Sequence, residues 1–182
     1  MTPVATARTH DEPTPVQQFS NCHGGILSGL HDFSELPALQ DAAVRARNLA
    51  ADVLRLLDHA VTEHHSEEED ELFDAVTRSA RPGPERDRVK VLVDRLTAEH
   101  REIEDTWKRM RSQVQLVAAG KPAQLRAEAV KLLVESYEAH AQLEEREFLP
   151  LAAEILGRNG NHMAALGLAL HMRHAHVPTA YI

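Results

Sequence analysis

Histidine and glutamate side chains recur along this chain in two similar sets, at spacings that suit a metal site. Each set has a single histidine, a gap of 40 or 41 residues, and then a histidine with a glutamate four residues further on. The members are His23, His64 and Glu68 in the first half, and His100, His140 and Glu144 in the second. Because residues four apart lie on one face of an α-helix, each pair could offer an imidazole and a carboxylate to the same ion.

The apolar residues around these sets predict that the ligands face a protein core. Apolar residues at steps of three and four mark one face of each predicted helix, and the histidines and glutamates interrupt that face. Leu96 precedes His100 in this way, and Tyr137 precedes His140. A buried carboxylate or imidazole without a partner costs on the order of several kcal/mol. A bound metal would supply one partner for all of them.

The number of candidate ligands exceeds what one ion can bind. Glu104, four residues after His100, is a seventh candidate, and its counterpart in the first half is Leu27. Glu104 could equally be a surface glutamate. Two octahedral ions offer about twelve positions, of which four histidines and two bridging carboxylates fill about eight. Imidazole with carboxylate suits iron best here, manganese less, and zinc less because it prefers about four ligands. The count therefore predicts a non-heme di-iron centre.

Composition predicts one all-helical domain that would position these ligands. The chain has 182 residues, is rich in Ala, Leu, Glu and Arg, and contains eight glycines. Such a composition favours helices, and the length suits a single domain. Helices are predicted from Thr14 to before Pro37, and at about 41–80, 85–119 and 123–157, the last kinked or ended at Pro150. Short connections between them predict an up-down-up-down four-helix bundle.

The predicted bundle spans residues 14–157. Residues 1–13 are predicted to be a disordered tail, and residues 158–182 to form a short additional C-terminal helix, from Asn161 to about His174, and a tail. The net charge of −8 argues against a nucleic-acid surface. Cys22 is the single cysteine, so neither an internal disulfide nor a cysteine-based metal cluster is expected. Without a signal-peptide pattern or a long apolar run, no membrane span is expected and a cytoplasmic protein is predicted.

These motifs resemble those of hemerythrin and the hemerythrin-like (HHE cation-binding) domains over about residues 15–157. The matching segments are Phe-Ser-Asn-Cys-His23-Gly-Gly-Ile, His64-x-x-x-Glu68-Glu-x-x-Leu-Phe, His100-x-x-x-Glu104, and His140-x-x-x-Glu144-Glu-x-x-Phe-Leu-Pro. The resemblance implies a four-helix bundle around two irons, bridged by carboxylates and by an oxo or hydroxo group.

Two departures from oxygen-carrying hemerythrins bear on function. Those proteins have His-x-x-x-His on the third helix, where this chain has Glu104, and they place the fourth-helix carboxylate five residues after the histidine. Both Glu144 and Glu145 are present here, and Glu144 is preferred because it faces the predicted core. A carboxylate in place of an imidazole favours the ferric state and disfavours reversible O₂ carriage.

The predicted function is therefore binding of, or reaction with, O₂, peroxide or nitric oxide, in oxygen or redox sensing or an oxidative-stress response. The alternatives are an enzyme that degrades peroxide, in the manner of a catalase or peroxidase, and an iron storage or trafficking protein. A regulatory role would add a protein partner or a homodimer. The first half, which lacks a second carboxylate, would leave one iron with an open position.

Several other residues have competing interpretations. His31 competes with His23 but points away from the stripe, and His59 and His65 are predicted to face solvent. Tyr137 could hydrogen-bond the bridging oxygen or be an ordinary core tyrosine. Surface positions are predicted for the C-terminal histidines, with a weak second metal site as the alternative: His162, His171, His174 and His176.

Overall fold

The computed structural model describes residues 14–158 and 160, and every regular element among them is helical. The all-helical class predicted from composition is confirmed for these residues. Contacts divide the chain into two compact units, residues 1–45 and 46–182. The predicted C-terminal helix and the predicted N-terminal tail lie outside the described residues. No helix in the described part is long and apolar enough to cross a membrane.

Three helical rods make up the described chain. The first contains α1 (Pro15–His59), a π-helix (Ala60–His64), α2 (His65–Glu67), a second π-helix (Glu68–Phe73) and α3 (Asp74–Ser79). The second rod is α4 (Pro84–Ala118). The third contains α5 (Ala127–Leu143), a π-helix (Glu144–Phe148) and α6 (Leu149–Gly157). The up-down-up-down arrangement of four helices stays a prediction, since the first two predicted helices form one rod.

The prediction that the first helix ends before Pro37 is wrong, because α1 passes through this proline. An interior proline removes one backbone hydrogen bond and costs about 3 kcal/mol relative to alanine. The flanking residues are mostly good helix formers, including Leu36, Ala38 and Leu39. Their helical propensity and the bonds of the neighbouring turns keep the helix continuous.

The N-terminal unit carries the predicted apolar stripe on an exposed helix. Phe19, Leu30 and Phe33 are 71%, 59% and 67% exposed, so their predicted burial is wrong for this structure. The described part of this unit is a stretch of α1, and a single helix has no interior in which to bury a stripe. The sequence pattern identifies an apolar face on this part of α1, but it does not identify a partner for that face.

Glycines with positive φ lie in the two turns between rods, one just before α4 and one just after it. Gly83 has a φ of 97°, and Pro84 follows it at the first turn of α4. Gly120 has a φ of 66° just after α4 ends, where the sequence predicts a stop. The third rod begins at Ala127 rather than at Ala123 as predicted.

The core of the second unit consists of two apolar clusters. One contains Phe73, Val76, Leu96 and Phe148, and the other contains Ile103, Trp107 and Leu133, among further residues. Along α4 the first cluster reaches Leu96 and the second resumes at Ile103. The buried His100 lies between them. Along the third rod His140 occupies the same position between Leu133 and Leu143. Two apolar clusters thus lie on either side of one polar layer, which contains His100 and His140.

A hydrogen-bonded carboxylate joins α1 to α4 beside the second apolar cluster. The indole Nε1 of Trp107 donates to Asp58 Oδ1 at 2.9 Å, and Arg111 donates to both carboxylate oxygens at 2.8 and 2.7 Å. The hydrogen bond from Arg111 is the main reason that the pKa of Asp58 lies below its ordinary value of 3.8, against the opposing effect of burial.

Replacing Asp58 by asparagine is expected to lower the free energy of unfolding at pH 7 by about 1 kcal/mol, because the charge-assisted pair with Arg111 is lost. Urea denaturation of the metal-free protein measures this difference. Asp52→Asn is the matched control, since Asp52 forms an exposed pair with Arg55 one turn apart. The pKa of Asp58 is lowered by folding, so its contribution is present above pH 3.8 and is lost as the pH falls through the folded-state pKa. A difference between D58N and wild type that persists below that pKa would contradict this origin.

Candidate metal centre

Two buried histidines face each other at the centre of the polar layer. His100 on α4 and His140 on α5 are 0% and 2% exposed, and their Nε2 atoms are 3.2 Å apart. Neither position depends on a loop, because each ring projects from the interior of a helix between apolar residues. The two α-helices thereby hold the Nε2 atoms of His100 and His140 next to each other.

Two buried glutamates complete a group of four ligand atoms. Glu68 Oε2 lies 3.3 Å from His100 Nε2, and Glu144 Oε2 lies 3.6 Å from His140 Nε2. One atom from each of the four residues lies within 4.8 Å of all the others. Four of the residues predicted from the repeat are therefore brought together by all three rods.

Further carboxylates contact the outer nitrogens of the two histidines. His100 Nδ1 lies 2.8 Å from Glu69 Oε1, and His140 Nδ1 lies 3.3 Å from Glu99 Oε2. A carboxylate at Nδ1 favours the tautomer that is protonated there, which makes Nε2 of each ring available to a metal. Sequence reasoning missed Glu99 and assigned Glu69 to a solvated acidic face. Its contact with His100 depends on how two rods pack, which the spacing along one helix does not reveal.

Burial and repulsion between like charges perturb the titration of this group. Burial, and next the charge of Glu68, raise the pKa of Glu144 to about 8. Burial and then His100 lower the pKa of His140. Burial alone would lower the pKa of His100, but hydrogen bonds to Glu68 and Glu69 outweigh it and raise that pKa. Negative charge concentrated in a buried site favours occupancy by a cation.

The geometry and chemistry of the group fit a metal ion. Two Nε2 atoms 3.2 Å apart can share one proton as a hydrogen bond in the metal-free protein, or they can both bind a single cation. Two ligand atoms at right angles on one ion, with bonds of about 2.1 Å, lie about 3.0 Å apart. Glu144 Oε1 is also buried without a hydrogen-bond partner, as expected of an atom that has a metal as its partner. Imidazole and carboxylate together suit iron, manganese or zinc.

All three π-helices in the described part of the chain adjoin this group. Glu68 and Glu144 are each the first residue of a π-helix, and the remaining π-helix, Ala60–His64, ends one residue before the buried His65. A π-turn closes i→i+5 hydrogen bonds and is found most often at functional sites. The third rod continues past Pro150 to Gly157, so the irregularity predicted at this proline takes the form of the π-helix just before it.

A comparison with protein families agrees with this geometry. The model of the hemerythrin HHE cation binding domain matches residues 14–152. The chain belongs to the hemerythrin HHE cation-binding family. No curated protein and no solved structure matches the chain significantly. Family membership confirms the resemblance drawn from the motifs and supports cation binding by the buried group of this HHE domain.

Three further predicted ligands of the HHE domain lie outside the four-residue group. His64 is 45% exposed, with Nε2 at 3.3 Å from Glu68 Oε1. Glu104 is engaged in ion pairs with Arg101 at 2.7 Å and Lys108 at 3.9 Å. His23 is exposed on α1 in the N-terminal unit. Their roles as ligands stay predictions.

His65 of the HHE domain differs from its predicted position. The apolar stripe predicts that His65 faces solvent, but His65 is 1% exposed, so that prediction is wrong. Burial and then the charge of His100 lower its pKa to about 3, which keeps the ring neutral at neutral pH. The π-helix Ala60–His64 explains the error, because it holds about one residue more per turn than the α-helix assumed in the stripe.

Tyr137 lies beside the histidines, as its place one turn before His140 predicts. Its ring centroid is 6.1 Å from those of His65 and His140. Burial, and next the charge of Glu68, raise the pKa of Tyr137 to about 12, so its hydroxyl stays protonated at neutral pH. Tyr137 can therefore act as a hydrogen-bond donor near the group.

Proposed function

We propose that this HHE domain is a non-heme di-iron protein that binds or reacts with O₂, peroxide or nitric oxide. Its role would lie in oxygen or redox sensing or in an oxidative-stress response, in the cytoplasm. The observation that carries the proposal is the buried group of Glu68, His100, His140 and Glu144, in which the Nε2 atoms of the two histidines lie 3.2 Å apart. Seven candidate ligands exceed the needs of one ion, which favours two. Iron is chosen over manganese because the motifs resemble those of hemerythrin, and over zinc because zinc prefers about four ligands.

The assignment of two irons depends on ligands beyond the four-residue group. We propose that the second ion draws on Glu104 and on a histidine of the adjacent pair His64 and His65, with an oxo or hydroxo group as bridge. His23, which belongs to the N-terminal unit, stays a prediction from the sequence. The concentration of carboxylates supports a highly charged centre: Glu69 and Glu99 add to the two glutamates of the group. Bound iron would supply the redox and ligand-binding chemistry towards a small oxidant.

Residues of the chain itself would control that chemistry. Glu69 and Glu99 hold the two imidazoles by their Nδ1–H groups, which makes Nε2 available to a metal. The phenol of Tyr137 can donate a hydrogen bond towards a bound anion. Phe73, whose ring centroid lies 5.9 Å from that of His100, belongs to the apolar cluster that keeps water from one side of the group.

Metal analysis combined with optical spectroscopy tests the proposal. The metal-free protein is loaded with Fe²⁺ under nitrogen, the iron per chain is counted, and the spectrum is recorded before and after exposure to O₂ or peroxide. Two irons per chain and new charge-transfer bands on oxidation are expected. Binding of no more than one iron per chain, or a preference for a single zinc in competition with iron, would contradict the proposal. Reversible bands indicate sensing, whereas release of O₂ from peroxide over many turnovers indicates the peroxide-degrading alternative.

A further inference from the structure

We infer that His65, rather than its neighbour His64, is the histidine that the first rod contributes to the metal centre. This inference rests on the proposed metal centre and changes one of its ligands. It begins with burial: His65 is 1% exposed, whereas the His64 side chain is 45% exposed. The His65 ring stacks on that of His100, with centroids 3.9 Å apart and an angle of 4° between the planes.

The nitrogen atoms of His65 have the surroundings of a ligand. One nitrogen from each of His65, His100 and His140 forms a second group whose atoms all lie within 4.8 Å of one another. These three imidazoles come from three different rods. The Nε2 atom of His65 is buried without a hydrogen-bond partner. A buried imidazole nitrogen without a hydrogen-bond partner destabilises the fold unless a ligand such as a metal ion binds it.

All three buried histidines have a carboxylate against Nδ1. Glu104 Oε1 lies 3.5 Å from His65 Nδ1, as Glu69 lies against His100 and Glu99 against His140. The shared arrangement leaves Nε2 as the metal-binding atom in each ring. The Glu104 carboxylate, itself held by Arg101, thereby also orients the His65 ring.

The local helix geometry explains why the inner position falls on His65. Val61 is buried, His65 follows it by four residues, and Glu68 follows His65 by three, so the three share one face. His64 lies one residue before His65 and points away from that face, as its greater exposure shows. For His64 to reach the centre, the helix would have to turn His65, with its stacked ring, towards solvent.

Identical substitutions at the two adjacent histidines test the inference. His65→Gln and His64→Gln each remove one imidazole and keep a neutral polar side chain of similar size. Fe²⁺ affinity is measured under nitrogen, and the melting temperature is measured with and without metal. His65→Gln is expected to lower the affinity by at least tenfold, and His64→Gln by less than threefold. Melting of the metal-free variants shows whether each one folds.

A spectroscopic count of ligands provides a readout that is independent of affinity. In the Co²⁺-loaded protein, each metal-bound histidine gives one paramagnetically shifted, solvent-exchangeable N–H proton signal. His65→Gln is expected to lose one such signal and His64→Gln none. Loss of a signal in His64→Gln with none lost in His65→Gln would overturn the inference while leaving the metal centre in place. A wild-type protein that binds neither Fe²⁺ nor Co²⁺ would instead overturn the proposed function.

Discussion

Replacing His100 by alanine is expected to abolish tight metal binding and the stability that depends on it. His100 belongs to both groups of ligand atoms and is fully buried. Its Nε2 lies 3.2 Å from His140 Nε2 and 3.3 Å from Glu68 Oε2, so no neighbouring side chain can take its place without moving a helix. The affinity for Fe²⁺ is expected to fall by at least about 100-fold, since a direct ligand should matter at least as much as an outer partner.

Thermal unfolding with and without metal measures this loss. A ligand at 100 times its Kd stabilises the folded state by about 2.7 kcal/mol, which raises the melting temperature of a chain of this size by about 5–10 °C. H100A should lose this increase. His59→Ala is the control, because His59 contacts Glu63, with Nδ1 and Oε2 2.9 Å apart, and belongs to neither group of ligand atoms, so this variant should keep the full increase. A metal-dependent increase retained by a folded H100A would show that the buried group is not the metal centre.

Replacing Glu144 by glutamine is expected to stabilise the metal-free protein at pH 8 while weakening metal binding. Burial and the charge of Glu68 raise the pKa of Glu144 to about 8, above its ordinary value of 4.5. As the pH rises, the Glu144 carboxyl therefore loses its proton at a lower pH in the unfolded chain than in the folded protein. The contribution of Glu144 to the free energy of unfolding is complete below pH 4.5 and declines as the pH rises through about 8. E144Q removes this decline, and at pH 8 the gain should be on the order of 2 kcal/mol.

Urea denaturation of the metal-free proteins between pH 5 and 8 tests this dependence, and Fe²⁺ titration of the same variants tests the loss of a ligand. Glu145→Gln is a matched control, because Glu145 is the adjacent residue, is exposed, and is the alternative carboxylate of the sequence motif. E145Q should behave like wild type in both experiments. Destabilisation of the metal-free protein by E144Q at pH 8, or unchanged iron affinity, would contradict the assignment.

The sequence contained enough information to predict the centre of the site. Glu68, His100, His140 and Glu144 are brought together because helical spacing, the apolar stripe and the repeat all depend on local geometry that one sequence records. The burial of Glu144 and the exposure of Glu145 agree with the choice of the core-facing position.

The features of the site that the sequence did not predict depend on contacts between different rods or on the wider turn of a π-helix. An apolar stripe read at 3.6 residues per turn favoured His64, and the π-helix preceding His65 shifted the buried position by one. The carboxylates of Glu69 and Glu99 had no signal, since charged residues on helices usually face solvent. Pro37 was a misleading signal, because the helix formers around it outweighed its preference for a break.

The contacts of Glu69 and Glu99 with the histidine rings also bear on how fast the centre can fill. Because these contacts already hold both imidazole rings in place, the ligand atoms are preorganised before an ion arrives. Little side-chain entropy then has to be lost on association. Uptake would be governed by the rate at which the incoming ion sheds its water shell rather than by a rearrangement of the chain.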